Sequence, residues 1–186
     1  ICNIGFSVLM PTVNLLPNGD VSTDWALSTG SDVYALVDDD HTGNIATDSS
    51  YVSATSAGDT FVVDLQDFTE AHSSIDGVQV VVKAGNNGRG RTFKIRTVLS
   101  NASPAAVHYT EDSATQTASI GYKTITFTNR TASGDGDAWT NTDLNNLRLS
   151  VEAEAHSGGT TRCTYCYVIV TYTEPVSADN SIFFGT

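Results

Sequence analysis

The sequence predicts an all-β protein: a two-sheet antiparallel β-sandwich, jelly-roll-like, with extended N- and C-terminal arms. Three observations carry this. Apolar residues recur with period two in one short run after another. The runs are divided by Asn, Asp and Gly clusters that tolerate positive φ and so read as turns. The composition favours strand over helix, with 25 Thr, 19 Ser and seven Tyr against a single Met.

The size and charge narrow the function classes. The chain has 186 residues, a formal charge of −12, and 9 Lys and Arg against 21 Asp and Glu. A hydrophobic share of 40% supplies a core and excludes wholesale disorder. So few cations exclude a phosphate-tracking surface, and with it nucleic acid as a partner. No apolar run approaches the ~20 residues of a membrane span. An acidic, hydroxyl-rich β chain is expected to be extracellular. The first residue, Ile1, is not a translation start, which implies processing or an origin inside a longer product.

The strands follow in order. Val33–Val37, Tyr51–Ala54 and Thr60–Leu65 are short candidates. In Gly77–Ala84, residues Val78, Val80, Val82 and Ala84 share one face, with Gln79, Val81 and Lys83 on the other. Arg91–Leu99 alternates Phe93, Ile95, Thr97 and Leu99 with Lys94, Arg96 and Val98. Ala106–Tyr109 and Tyr122–Thr128 are further strands. Leu147, Leu149, Val151 and Ala153 alternate with Arg148, Ser150, Glu152 and Glu154, the pattern of a strand wet on one side. Cys163–Thr173 contains Tyr167, Val168, Ile169 and Val170 without a polar break, which predicts a central strand covered on both faces. Turns are expected at Pro17–Asp20, Ala57–Asp59, Gly85–Gly88, Ser133–Asp137 and Ser157–Gly159. Thr140 and Asp143 form an N-cap pair opening one helical turn, and Asp64–Ser74 has room for another short turn. The division is an N-terminal arm or strand over 1–12, a sandwich over 13–174 and a C-terminal arm over 175–186.

Catalytic chemistry finds little purchase. The four histidines, His41, His72, His108 and His156, lack any HxH or HExxH spacing. No G-x-S-x-G is present, and of five Glu, Glu152 and Glu154 share a solvated strand face. The expected catalytic set is none, and no cofactor is required. Calcium is the one cation the sequence suggests. Asp38, Asp39 and Asp40 lie beside a turn, as do Asp59, Asp135 and Asp137, and hard oxygen donors from loops suit that ion. The bland reading of the same residues is turn chemistry. Cys163 and Cys166 on an extended strand point to opposite faces, so without a bulge they neither bond each other nor chelate one ion. A disulfide would join Cys2 to Cys163 or Cys166; otherwise the three are thiols. Trp25 is a candidate for stacking on a glycan, and Trp139, just before the helical turn, is expected to plug the core.

The stretches Asp38-Asp39-Asp40, Tyr51-Val52, Phe61-Val62-Val63-Asp64-Leu65 and Ile75-Asp76-Gly77-Val78-Gln79-Val80 carry a family resemblance. So do Ala138-Trp139-Thr140, Asp143-Leu144-Asn145-Asn146-Leu147, Val151-Glu152-Ala153 and Tyr165-Cys166-Tyr167-Val168-Ile169-Val170-Thr171-Tyr172. In this order, over about residues 38–172, they resemble jelly-roll-type virion structural proteins of tailed bacteriophages, surface or tail-associated. The chain departs from that pattern at Ser150, where Gly is frequent. The resemblance implies a non-enzymatic structural subunit whose partners are copies of itself or other virion subunits, and it supplies no catalytic residues.

In Ile4, Phe6, Val8 and Met10 the N-terminal arm has an apolar stripe suited to an inter-subunit strand, and Ile182, Phe183 and Phe184 could serve likewise at the other end. Two alternatives stand beside this. One is a secreted filament subunit polymerising by strand donation. The other is a carbohydrate-binding module, since Asn18-Gly19-Asp20 through Trp25 is similar to the opening strand of such modules.

Overall fold

The computed structural model describes residues 10–38, 40, 44–102 and 105–175. Among these residues the strands are β1 (Thr12–Leu15), β2 (Pro17–Thr23), β3 (Ala26–Leu27), β4 (Val52–Ala54), β5 (Thr60–Leu65) and β6 (Ser74–Asn86). They continue with β7 (Thr92–Asn101), β8 (Ala106–Asp112), β9 (Gln116–Thr117), β10 (Lys123–Thr126), β11 (Leu147–His156) and β12 (Thr161–Thr173). One sheet runs β10-β6-β12-β4-β3, with β1 also on β12. The other runs β2-β5-β11-β7-β8, with β9 also on β7. Every strand pairing is antiparallel. The fold is the all-β, two-sheet sandwich that the alternation predicts.

Period two converts directly into burial. Phe93, Ile95, Thr97 and Leu99 of β7 face inward, while Lys94, Arg96 and Val98 are half-exposed. Leu147, Leu149, Val151 and Ala153 of β11 meet them from the same sheet. Val78, Val80, Val82 and Ala84 of β6 close the core from the opposite sheet. Each large apolar side chain removed from water contributes roughly 1.5–3 kcal/mol, so a strand cannot slip by one residue without reversing several such terms.

Three segments differ from expectation, each for a local reason. Val33–Val37 is a single 3-10 turn, Tyr34–Leu36, rather than a strand. Its buried residues, Val33, Leu36 and Val37, are spaced three and four apart, which is helical spacing. The Asp20 carboxylate accepts from the Val33 and Tyr34 amides, both at 2.7 Å, and supplies the partners that the turn's first N–H groups lack. Pro17–Asp20 opens β2 instead of forming an isolated turn. The register of β2 on β5 shifts at Pro17/Gly19 and again at Asp20/Ser22. An edge strand paired on one side tolerates Pro at its start and residues of turn type at its bulges. The 66–73 segment holds no helical turn; it is pinned by buried Phe68, whose amide donates to Asn145 Oδ1 at 2.8 Å.

The helical turn α1 (Asn141–Leu144) sits where Thr140 and Asp143 predict it. Thr140 Oγ1 accepts from the Asp143 amide at 3.2 Å, and Asp143 Oδ2 accepts from the Thr140 amide at 2.9 Å, a reciprocal capping box. Leu144 is thereby held in the core. Thr140→Ala is expected to lower stability by about 1 kcal/mol, read as a lower urea midpoint at unchanged slope.

Candidate functional site

The site stands on β12. One edge of this strand pairs with β6 from Thr161↔Asn86 to Thr173↔Ser74. Three segments share its other edge. They are β4 at Thr161–Cys163, an isolated bridge from Asp38 to Tyr165, and β1 at Val168–Thr171. The Val37 carbonyl accepts from the Cys166 amide at 2.9 Å, so the 37–38 segment fills the gap between β4 and β1.

The register against β6 shifts between Cys163 and Tyr165. The inserted residue, Thr164, is buried and donates its hydroxyl to the Ser50 carbonyl at 3.0 Å. This bulge corrects the expectation for the cysteines. With one extra residue between them, Cys163 and Cys166 both point into the core, fully buried, as free thiols. The neighbouring Cys163 thiol, then burial, pushes the Cys166 thiol up. Cys2 lies outside the described residues.

The same shift sends Tyr165 and Tyr167 outward. Their rings stand 4.8 Å apart at 38°, side by side along the strand and half-exposed. Register places neutral polar groups around them. Thr124 and Thr126 of β10 lie beyond Lys83 and Val81, which face Tyr165 and Tyr167 across the ladder. Ile169 follows on the same face, between Gln79 of β6 and Asn14 of β1. Gln79 donates its amide to the Phe127 carbonyl at 2.9 Å. Asn14, Thr124 and Thr126 are exposed. The strand is central, as expected. It is not sealed on both faces, because this outward row remains half-exposed.

The charged groups nearby are arranged in pairs. Lys83 forms an ion pair with Asp40. Burial, then Tyr167 and the Asp40 charge, push the Tyr165 phenol above its ordinary value. Asp38 contributes its backbone bridge to Tyr165, and Asp39 lies outside the described residues. Of the three carboxylates expected to gather a calcium ion, Asp40 thus has a lysine as its counter-charge. Among the described residues no group of three or more His, Cys, Asp or Glu is placed to hold a metal. The other acidic turns use their carboxylates locally. Asp59 accepts from the Thr55 and Ser56 amides at 3.2 and 3.0 Å, and Asp135 accepts from the Ser133 hydroxyl and the Asp137 amide.

The remaining expected residues fall as follows. Trp25 is 2% exposed and edge-on to Phe61 at 5.1 Å between centroids, so it offers no face to a sugar. Its aromatic bulk goes to the core, which corrects the stacking expectation. Trp139 is buried, with its indole N–H donating to the Arg130 carbonyl at 3.0 Å. Glu152 and Glu154 pair with Arg96 at 3.3 Å and Lys94 at 3.0 Å, on the outer face of the second sheet. Met10 is 49% exposed; Ile4, Phe6, Val8, Ile182, Phe183 and Phe184 lie outside the described residues. The tyrosine pair was not singled out from the sequence. Its signal is the alternation of Tyr165, Tyr167, Ile169 and Thr171 with Cys166, Val168, Val170 and Tyr172, which becomes readable once the phase set by the bulge is known.

A second polar cluster closes one edge of the sandwich. Glu111 accepts from the Thr128 hydroxyl at 2.7 Å and from Arg130 Nη2 at 2.8 Å, and the Arg130 guanidinium lies 4.6 Å from the Tyr109 ring centre. Gly134 passes so close to His108 that a Cβ would stand 2.5 Å from its backbone, and the Gly134 amide donates to His108 Nδ1 at 3.2 Å. These contacts are structural, binding the 128–134 segment to β8.

No family model matches the chain, and no curated protein matches it. Among solved structures it is similar to the CBM32 module of AlyQ in complex with 4,5-unsaturated mannuronic acid, at 17% identity and TM-score 0.43, over 82% of this chain and 97% of that one. Truncated AlyQ with its CBM32 and alginate lyase domains matches at 16% identity and TM-score 0.44, over 89% of this chain and 35% of that one. The xylan-binding module CBM15 matches at 12% identity and TM-score 0.43, over 89% and 99%. The likeness is one of architecture. These neighbours are carbohydrate-binding modules, not phage virion proteins, and the virion resemblance is corrected accordingly. The residues that carried it, such as Val63, Val78, Val151 and Val168, are buried core positions, and any sandwich of this size needs apolar residues there.

The Glu111 cluster sets a pH response. Burial alone would raise the Glu111 pKa, but the hydrogen bonds from Thr128 and Arg130 outweigh it and hold the carboxyl below its ordinary value. A depressed folded-state pKa contributes stability that is complete above the unfolded value, near 4.5, and is lost as pH falls through the folded one. Urea midpoints at pH 5 and pH 3 are expected to fall further in the wild type than in Glu111→Gln. Equal losses would show that this carboxylate is not among the groups responsible.

Proposed function

We propose that the chain is a non-catalytic carbohydrate-binding module of an extracellular protein, with the sandwich over 13–174 as the binding unit. A single observation supports the reading: Tyr165 and Tyr167 stand side by side, half-buried, on the outward face of β12. Aromatic faces take the apolar C–H faces of pyranose rings, and a phenol adds a polar handle at the rim. Thr124 and Thr126, one strand beyond the rings, and Asn14 and Gln79, on either side of Ile169, bring hydroxyls and amides able to pair with sugar hydroxyls to the same face. The rings project from a central strand held on both edges, so little conformational freedom is lost on binding. The reading assigns the chain no reaction.

Affinity electrophoresis of the purified chain against a panel of soluble polysaccharides tests it. Binding to at least one polymer is expected, weakened about tenfold or more in Tyr167→Ala and in Tyr165→Ala, equivalent to about 1.4 kcal/mol per ring. Circular dichroism of both variants should match the wild type. Folded tyrosine variants that bind like the wild type, or a panel with no binding at all, would overturn the proposal.

A further inference from the structure

The charges on the tyrosine face point to the kind of glycan it takes. Lys83, opposite Tyr165, is the nearest cation by register, and Asp40 already pairs with it. Arg162 lies on the far side of the bulge. Its guanidinium sits 4.0 Å from the Tyr51 ring centre, and it donates to the Ile45 carbonyl at 2.7 Å. Lys123 stands opposite the inward-facing Ala84 and is out of phase with the face. Against these stand Asp40 itself and Asp76 at the far end, where it accepts from Thr173 Oγ1 at 2.7 Å. Among the described residues of this face, each cation is already engaged, and beyond the paired Lys83 and the apolar Val81 the face continues in the neutral hydroxyls of Thr124 and Thr126. The whole chain carries −12.

A uronate carboxylate brought to these rings would find no free cation among the described residues of this face and would meet Asp40, the more exposed partner of the ion pair at 57% against 13% for Lys83. A neutral pyranose would meet no such repulsion. Resting on the carbohydrate-binding reading above, we infer that the tyrosine face takes uncharged polysaccharide and discriminates against polyuronates, with the Lys83–Asp40 pair as the specificity determinant.

The test measures affinity of the full chain for neutral polymers (xylan, mannan and mixed-linkage β-glucan) and for anionic ones (alginate and polygalacturonate), at low and high salt. At least one neutral polymer is expected to bind at least about tenfold tighter than either anionic one. The gap should narrow in added salt, because exposed charges are screened over ~10 Å at 0.1 M. Asp40→Asn, which frees the Lys83 charge, should raise affinity for the anionic polymers several-fold. A thermal melt establishes that this variant is folded, and Asp40→Ala provides a second variant of the same charge. Anionic polymers that bind as tightly as neutral ones, with Tyr167→Ala still weakening both, would overturn this inference while leaving the carbohydrate-binding reading intact. Absence of binding to every polymer would overturn both.

Discussion

The one-residue bulge at Thr164 is the constraint on which the face depends. Side chains alternate along a strand, so an extra residue taken up at one point reverses the odd-even pattern of everything beyond it in the sequence while keeping the strand in phase with its partner. Before the bulge Cys163 faces inward, and after it Cys166, Val168, Val170 and Tyr172 do. Were Thr164 paired in regular alternation instead of bulged, the second half of β12 would present Tyr165, Tyr167, Ile169 and Thr171 to the core and place Cys166, Val168 and Val170 in water. The buried Thr164 hydroxyl finds the Ser50 carbonyl, so the inserted residue leaves no orphaned donor. A packing device inside the sandwich therefore sets the chemistry of its surface.

The second edge of β12 explains how such a face is held in order. No single strand covers that edge; β4, the Asp38 bridge and β1 divide it among them. The backbone of the central strand is satisfied along its length, while the segments beside it are short and bring small polar side chains. Asn14 reaches the face in this way from β1. On the opposite side, the long pairing with β6 carries Lys83, Val81 and Gln79 into register with the rings.

The acidity of the chain is spent largely in local structure. Asp20 caps the turn at Tyr34, Asp143 closes the capping box of α1, and Asp59 and Asp135 organise their own turns. Asp112, Glu152 and Glu154 form a charge ladder with Arg96 and Lys94 across the outer face of the second sheet. In the ladder, acceptors outnumber cations, and the excess negative charge remains at the surface. Such pairs contribute little each in water, about 0–1 kcal/mol. Their effect is to keep that face charged and wettable.

By itself the sequence determined the class of fold, most of the strands and the capped helical turn. Those features are written in local pattern: the alternation of β7 and β11, Thr60–Leu65 residue for residue, and Thr140 with Asp143. It also placed Trp139 in the core, where its position before α1 implied it. Tertiary structure decided the phase of β12, the orientation of its cysteines, and the role of Trp25, whose ring is consumed by Phe61 rather than offered to solvent. It also made a turn of Val33–Val37 by bringing Asp20 to its first amides, and a bulged edge strand of Pro17–Thr23 by laying it against β5. The division has one physical cause. Periodicity records which residues avoid water, whereas a bulge, an edge or a distant cap depends on a partner far along the chain, and no local pattern names that partner.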